Sequence, residues 1–299
     1  MAYRNIVISS SVRITVKNEQ LEIEGQAQGS IPVEDIRTLL LESQASNIST
    51  YALSFLAQKG VCVYFCDEKH LPCAVLMPFC QNSRQKKQIE LQISQSKPRL
   101  KNMWSEIVIS KITNQAKCLE LCGFEKTCVD NLKSLCKRVL SGDTTNIEGY
   151  AAACYFAHLF GEDFSRRDDN NINSALNYGY AILRGYICRT IARYGYECSI
   201  GIHHCSQLNN FNLADDIIEP FRPTVDMLVF KKFKEVSFDK KVKYELANIL
   251  NYEIIYDGEK HSIAYAIELT VQSIGKNYSG EKEHLTLPIL KDLVLHEYE

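Results

Sequence analysis

The spacing of hydrophobic and polar positions changes from a strand-like to a helix-like pattern about residue 80. Before that point, short β-branched runs alternate with polar residues, which predicts β-strands. The predicted strands cover residues 4–10, 12–16, 21–24 and 61–65. One helix is predicted between them, beginning near Asn47 and ending at the stop signal Gly60. The last strand, an uninterrupted apolar run, is typical of a strand buried on both faces.

Beyond residue 80 the apolar positions recur at helical spacing, and few strand signals are present. Helices are predicted over residues 131–140, 147–160, 172–194, 213–219, 242–250 and 262–273. We place the domain boundary near Phe79, beside Pro78 and a polar stretch. The sequence therefore predicts an α+β protein with a β-rich N-terminal domain, residues 1–79, and a larger all-α C-terminal domain, residues 80–299.

Composition supports a folded protein of one large or two ordinary domains, since 45% of the 299 residues are hydrophobic. No apolar run approaches the roughly 18 residues that a membrane span needs. The first residues lack the order of charge, apolar core and cleavage site that marks a secretory signal. We therefore expect a cytoplasmic protein without membrane contact, whose 12 cysteines are reduced thiols. The absence of any C-x-x-C pair argues against a structural zinc site.

Net charge does not favour a protein that coats nucleic acid, because the formal charge is -2 and the sequence pI is near 6.4. DNA binding would have to depend on local basic clusters. The candidate DNA-binding residues form three series. They are Arg184, Arg189 and Arg193; Lys231, Lys232 and Lys234; and Lys240, Lys241 and Lys243. Solvated helix faces are the competing interpretation of each series.

An acidic segment between residues 212 and 222 is the most informative on local physics alone. Asn212 is a good N-cap, and Asp215 and Asp216 in the first turn complement the helix dipole. Glu219 has no such explanation, because it lies three residues after Asp216 and four after Asp215, which places like charges on one face. The segment therefore requires either a bound cation or an ion pair with Arg222.

Two further segments carry groups that suit metal or proton chemistry. Glu148 lies three residues after Thr145, a spacing that fits a helix capping box as well as a ligand position. His203 and His204 are adjacent, and an imidazole here could bind a transition metal or simply form a hydrogen bond. Two or three oxygen ligands with one imidazole suit Mg²⁺ or Mn²⁺.

The chain has no P-loop, nucleophile elbow, dinucleotide fingerprint or H-E-x-x-H motif, which argues against the commonest cofactor-dependent and hydrolase classes.

Four blocks of sequence carry a resemblance to a known family. They are Ile147-Glu148-Gly149 with the Ala-rich helix and Tyr155-Phe156 that follow, residues 173–183, residues 201–204 and residues 213–223. In order and spacing these blocks resemble the CRISPR-associated spacer integrase family, the universal adaptation enzyme of CRISPR systems. Together with the β-rich start, the resemblance covers most of the chain.

The resemblance implies a metal site in the C-terminal domain. The family's metal-binding Glu, His and acidic residue fall on Glu148, His204 and Glu219, which are then the catalytic residues and hold Mg²⁺ or Mn²⁺. Asp216 matches a further acid that some family members place near the metal, and we take it as a secondary ligand. The α-helical C-terminal domain is then the catalytic domain.

The resemblance also implies an activity, the insertion of captured DNA fragments (spacers) into a CRISPR array by 3′-hydroxyl transesterification. The implied partners are double-stranded DNA, as fragment and as repeat, and a second, smaller CRISPR adaptation protein. The N-terminal domain would form a homodimer, and two dimers would enter one integration complex. The start of the chain resembles the type II branch, so the type II effector nuclease is a further expected partner.

Two other functional classes compete with this interpretation. One is a stand-alone metal-dependent DNA nuclease or transposon-type integrase of similar fold, which would use the same three residues without an adaptation partner. The other is a non-catalytic DNA-binding scaffold, in which the acidic residues are only helix caps and surface ion pairs.

Overall fold

The computed structural model describes residues 2–26, 28–68, 70–76 and 84–297. The chain divides into two compact units, Met1–Ser83 with Glu297–Glu299, and Arg84–His296. The boundary predicted near Phe79 lies outside the described residues. None of the helices that the structure describes is long and apolar enough to cross a membrane.

The N-terminal unit is built mainly from short strands, as its alternating pattern predicts. The strands are β1 Arg4–Ile8, β2 Val12–Lys17, β3 Gln20–Gly25, β4 Gly29–Pro32, β5 Ile36–Leu41, β6 Asn47–Ile48, β7 Cys62–Cys66 and β8 Pro72–Val75. The predicted helix is α1, Thr50–Gln58, and the Ser49 hydroxyl caps it by accepting a hydrogen bond from the Ala52 N–H. The strand predicted to be buried on both faces is β7.

Two four-stranded sheets make up this unit, in the orders β1-β5-β7-β8 and β4-β3-β2-β6. The first contains β5, which pairs in parallel with β1 and β7 and is buried at all six positions. A strand covered on both faces shows no alternation of polar and apolar residues, so the sequence pattern did not predict β5. Aliphatic side chains from both sheets and from α1 form the core.

The C-terminal unit is mostly helical. Its helices are α2 Gln85–Ile93, α3 Lys97–Leu121, α4 Lys126–Cys136, α5 Ile147–Phe160, α6 Asn171–Arg193, α7 Asn212–Ile217, α8 Arg222–Phe233, α9 Lys240–Ala247 and α10 Ile263–Tyr278. Each helix predicted from the sequence overlaps one of these, whereas α2, α3 and α8 were not predicted. The predicted α+β class, with strands concentrated before a helical region, is confirmed.

One feature corrects the prediction of an all-α C-terminal domain. Strands β9, Glu253–Tyr256, and β10, Glu259–Ser262, form an antiparallel hairpin. Its two-residue turn is Asp257-Gly258, both at positive φ (52° and 82°), which is the Asp-Gly pattern that favours a tight hairpin. The sequence therefore contained a hairpin signal within a region that was interpreted as entirely helical.

The 25-residue helix α3 is central to this unit, because it packs against α4, α5 and α8. Ser96 caps its N-terminus, and a proline lies in its first turn, where the missing N–H costs nothing. Its buried face includes Trp104 and Lys111, which are seven residues apart and therefore about two helical turns apart on one side of the helix. Both side chains take part in the site described below.

Asn114, on the same helix, supports the segments that flank the site. Its fully buried amide nitrogen donates to the carbonyls of Pro220 (2.8 Å) and Pro288 (3.0 Å), and its oxygen accepts from the Leu290 N–H (2.9 Å). Since Pro220 directly follows Glu219, Asn114 fixes the backbone beside a candidate ligand.

We expect Asn114→Ala to destabilise the protein by on the order of 3–6 kcal/mol, because three buried backbone groups lose their hydrogen-bond partner. Thermal unfolding should show this as a fall in Tm on the order of 10 °C. The matched control is Asn102→Ala on the exposed side of α3, where the side chain accepts one hydrogen bond from Ser141 (2.9 Å). Equal Tm values for the two variants would contradict this role of Asn114.

Candidate active site

Glu148 lies in the first turn of α5, but it does not cap that helix. The N-cap is Asn146, in the left-handed region (φ 52°), and its side chain accepts from the Gly149 N–H (3.2 Å). Asp143 accepts from the N–H groups of Ile147 and Glu148, at 2.9 Å each. These two side chains satisfy the first turn of α5, so the capping box with Thr145 is unnecessary and the Glu148 carboxylate can reach Lys111.

Glu219 begins a short 3₁₀ turn between α7 and α8, and its carboxylate is buried between two cations. One oxygen, Oε1, accepts from Arg222 Nε at 2.9 Å, so the ion pair with Arg222, one of the two alternatives considered for Glu219, is present. The other, Oε2, lies 2.5 Å from the Lys111 ammonium. Burial raises the pKa of Glu219, but Arg222 and Lys111 outweigh that effect and lower it to about 2. Glu219 is therefore an anion at every physiological pH.

Lys111 is a further residue of this candidate site, and the sequence reasoning missed it. Its ammonium forms ion pairs with both Glu148 and Glu219, although the residue is only 7% exposed. Burial alone would lower the pKa of Lys111, but the two carboxylates reverse this and raise it above its usual value. A signal was available, because Lys111 lies at helical spacing from Ile107 and Val108 and so shares their buried face.

His204 is oriented by the fully buried carboxylate of Asp216. The Asp216 oxygens accept from the N–H groups of residues 202, 203 and 204 at 2.6, 3.1 and 3.2 Å, and one of them lies 2.8 Å from His204 Nδ1. This hydrogen bond raises the pKa of His204. With Nδ1 facing Asp216, neutral His204 presents the lone pair of Nε2 to a ligand. Asp216, predicted as a secondary metal ligand, uses its oxygens here to hold the histidine segment.

Gly201 is required where this segment approaches Asp216. A Cβ atom added at Gly201 would lie 2.2 Å from the His204 carbonyl oxygen and 2.8 Å from an Asp216 oxygen. Any larger residue would therefore displace the turn that carries His204. The Gly-x-x-His spacing thus has a steric cause.

Trp104 packs against the same segment from α3. Its buried ring is stacked on His203, with centroids 4.2 Å apart and planes within 3°, and it meets His204 edge-on at 5.6 Å. Trp104 and Asp216 therefore contact the histidine segment through different interactions. Sequence reasoning did not single out this tryptophan, because nothing in its local pattern distinguishes it from an ordinary core residue.

The donor atoms of the site fit a hard divalent cation. Within the described part of the chain, no three His, Cys, Asp or Glu side chains form a metal centre, and the Lys111 ammonium pairs with both glutamates. The two glutamates nevertheless already bind one cation, the Lys111 ammonium. Oε2 of Glu219 is buried, and its ion pair with Lys111 is the contact that neutralises it. Carboxylates with one imidazole suit Mg²⁺ or Mn²⁺, so the residues present fit such an ion.

The predicted arginine series does not form one exposed face. Arg184 and Arg193 are 42% and 49% exposed, whereas Arg189 is buried beside Glu268. Arg184 lies 3.8 Å from Asp215. A buried, paired guanidinium is not available to a DNA backbone, so Arg189 is the member of this series that the structure argues against.

The two predicted lysine series are similarly divided. Lys231 pairs with Asp292 (2.7 Å), and Lys232 pairs with Glu245 (3.1 Å). Lys243 is buried, with its ammonium over the Phe238 ring, which argues against a DNA contact. The exposed members of the two series are Lys231, Lys232, Lys234, Lys240 and Lys241.

Two solved structures share the fold of this chain. A structure described as a casposase bound to integration product superposes with a TM-score of 0.76, at 20% identity, over 94% of this chain and 92% of that one. A chain from a Cas6-RT-Cas1–Cas2 complex superposes with a TM-score of 0.71, at 18% identity, over 98% of this chain and 37% of that one. At these identities the likeness shows a shared fold.

Sequence comparison then identifies the family. The family model described as CRISPR associated protein Cas1 matches residues 6–255, and the chain belongs to this family. A relative named CRISPR-associated endonuclease Cas1, from Neisseria meningitidis serogroup C (strain 8013), is 36% identical over the full length of both chains. A second, CRISPR-associated endonuclease Cas1 1 from Francisella tularensis subsp. novicida, is 24% identical over 92% of this chain and 93% of its own. The family resemblance seen in the sequence is confirmed.

Proposed function

We propose that the protein is a metal-dependent DNA integrase and endonuclease that inserts captured DNA fragments into a CRISPR array. The observation that carries the proposal is the convergence of Glu148 and Glu219 on one buried cation. His204, held by Asp216, completes the proposed ligand set. Family membership, a relative named as an endonuclease and the fold shared with a casposase bound to integration product support it.

In this proposal Glu148, His204 and Glu219 bind Mg²⁺ or Mn²⁺, which supplies Lewis-acid polarisation of the scissile phosphate and stabilises the leaving oxygen. The other contacts of the site fix the charge and the orientation of these three ligands. Arg222 holds Glu219 ionised and fixes one of its oxygens, and Asp216 fixes the tautomer and direction of His204. The protein's own contribution is therefore a fixed geometry of anionic and imidazole donors.

The reaction exchanges one phosphodiester for another. The 3′-hydroxyl of the captured fragment loses its proton and attacks a phosphorus at the repeat boundary, so a new P–O bond forms. The bond to the 3′-oxygen of the target strand breaks, and that oxygen takes up a proton. Because one ester bond replaces another, no nucleotide cofactor is needed. Water attacking in place of the hydroxyl gives hydrolysis, which accounts for an endonuclease activity at the same site.

The proposed partners follow from the same assignment. They are double-stranded DNA, as fragment and as repeat, and a second, smaller adaptation protein, and a Cas1–Cas2 complex among the fold relatives supports the latter. We further propose a homodimer through the N-terminal domain, two dimers in one integration complex, and the type II effector nuclease as an additional partner. The exposed Arg184 and Arg193 and the exposed lysines are the proposed contacts to the DNA backbone.

A strand-transfer assay tests this function. The full chain, with and without the small adaptation protein, is mixed with a short duplex and a supercoiled plasmid that carries or lacks a CRISPR repeat. We expect joined products at the repeat boundary with Mg²⁺ or Mn²⁺, and none when EDTA removes the metal. Equal cutting of both plasmids without joining would favour a stand-alone nuclease. DNA binding without cutting or joining under any condition would favour a scaffold.

A further inference from the structure

A lysine between two proposed metal ligands requires its own explanation. The Lys111 ammonium forms ion pairs with Glu148 and Glu219, the carboxylates to which the proposed function assigns the metal. It comes from α3, whereas the glutamates come from α5 and from the turn after α7. Lys111 therefore joins three separate parts of the C-terminal unit at a single point.

Electrostatics shows why a cation is needed there before any metal binds. Two carboxylates that approach one point repel each other, and their repulsion grows when burial removes water from around them. Glu219 is only 5% exposed, and Arg222 reaches only its other oxygen. Without Lys111 the two glutamates would therefore separate.

The same charges argue against a divalent ion and the ammonium sharing this position. Two carboxylates balance one divalent ion, whereas that ion together with the Lys111 ammonium would leave excess positive charge in a buried site that already contains Arg222. The lysine side chain is a flexible four-carbon stem, so its charged end can move while α3 stays in place.

We propose that Lys111 is an exchangeable internal cation, which holds Glu148 and Glu219 together in the metal-free protein and withdraws from them as the divalent ion binds. Lys111 is then a positioning residue. It preserves the arrangement of the ligands and at the same time competes with the metal for them. The inference rests on the proposed function, because it takes the two glutamates as metal ligands.

The test compares Lys111→Met with Lys117→Met, a matched control on the same helix that loses a more exposed ion pair with Glu120 (3.3 Å). Mn²⁺ binding to the DNA-free full chain is measured by electron paramagnetic resonance, and Tm is measured in EDTA and in saturating Mn²⁺. For Lys111→Met we expect a lower Tm in EDTA, recovery of that loss with Mn²⁺, and Mn²⁺ binding roughly tenfold tighter. The control should match the natural protein in all three measurements.

Unchanged or weaker Mn²⁺ binding by folded Lys111→Met would overturn the exchange, as would a natural protein that binds no Mn²⁺. Lys111→Gln is the second variant, because it keeps a hydrogen-bond donor without the charge and should show the same direction of change. Failure of both variants to fold even in Mn²⁺ would also overturn it. These readouts need no DNA, so the two proposals can fail separately. If Lys111→Met bound Mn²⁺ more tightly but the natural protein showed no strand transfer, the integrase proposal would be refuted and the exchange would stand.

Discussion

Strand transfer by Glu219→Gln is expected to fall by about a thousandfold or more in saturating Mg²⁺ or Mn²⁺. The substitution replaces an anion whose pKa is held at about 2 with a neutral amide of the same shape. A hard divalent ion binds an amide oxygen more weakly than a carboxylate, so the proposed metal site loses one of its two charged ligands. The measurement is joined product from the plasmid assay, together with DNA binding in EDTA, which should persist.

A loss of activity could also come from unfolding, because Glu219→Gln leaves Lys111 and Arg222 without a shared counter-charge. Breaking one partner of a buried ion pair costs on the order of 3–5 kcal/mol. The double variant Lys111→Met/Glu219→Gln removes the excess charge and should regain much of the lost Tm without regaining strand transfer. Undiminished product from either variant would remove Glu219 from the active centre.

Asp216→Asn should have the second largest effect, lowering both the stability of the fold and the affinity for the metal. Asp216 is fully buried, and its oxygens accept hydrogen bonds from three consecutive backbone N–H groups as well as lying 2.8 Å from His204 Nδ1. An asparagine would turn an NH₂ group toward some of those donors. We expect a loss on the order of 2–4 kcal/mol in unfolding free energy and weaker Mn²⁺ binding by roughly 10- to 100-fold.

The neighbouring acid provides the control for that experiment. Asp215 lies 3.8 Å from Arg184 and accepts from the Asn209 side chain (2.8 Å), and its charge acts on His204 without the hydrogen bond that Asp216 forms with the ring. Asp215→Asn should therefore keep natural Mn²⁺ affinity and lose little Tm. If both asparagine variants bound Mn²⁺ like the natural protein, His204 would have to be oriented by Trp104 alone, or not be a ligand at all.

The elements that could be predicted from sequence were those whose pattern depends on one buried face. The alternating strands and amphipathic helices met that condition, whereas β5, buried at every position, did not. Helix α3 was missed for a related reason, since its buried face includes polar residues such as Lys111 and Asn114 that interrupt the apolar periodicity. Their burial depends on partners distant in the sequence, which no local window contains.

The site shows the same division between local and distant causes. The Glu219–Arg222 ion pair could be foreseen from the sequence because both residues lie within one helical turn. The local argument for Glu148 as a cap was wrong, because Asp143 and Asn146 bind the N–H groups of that turn. His204 and Asp216 are 12 residues apart, and their hydrogen bond follows from a close turn at Gly201 that only the folded chain shows.

The stacking of Trp104 on His203 has a practical consequence. Trp104 is the chain's only tryptophan, so indole fluorescence from the unlabelled protein originates entirely beside the proposed metal ligands. Imidazolium formation or a paramagnetic ion a few ångströms away quenches an excited indole, whereas diamagnetic Mg²⁺ does not quench in this way. The natural chain therefore carries one indole beside the proposed metal ligands, and its fluorescence would report Mn²⁺ binding there in real time, including during assembly with DNA and with protein partners that have been made free of tryptophan.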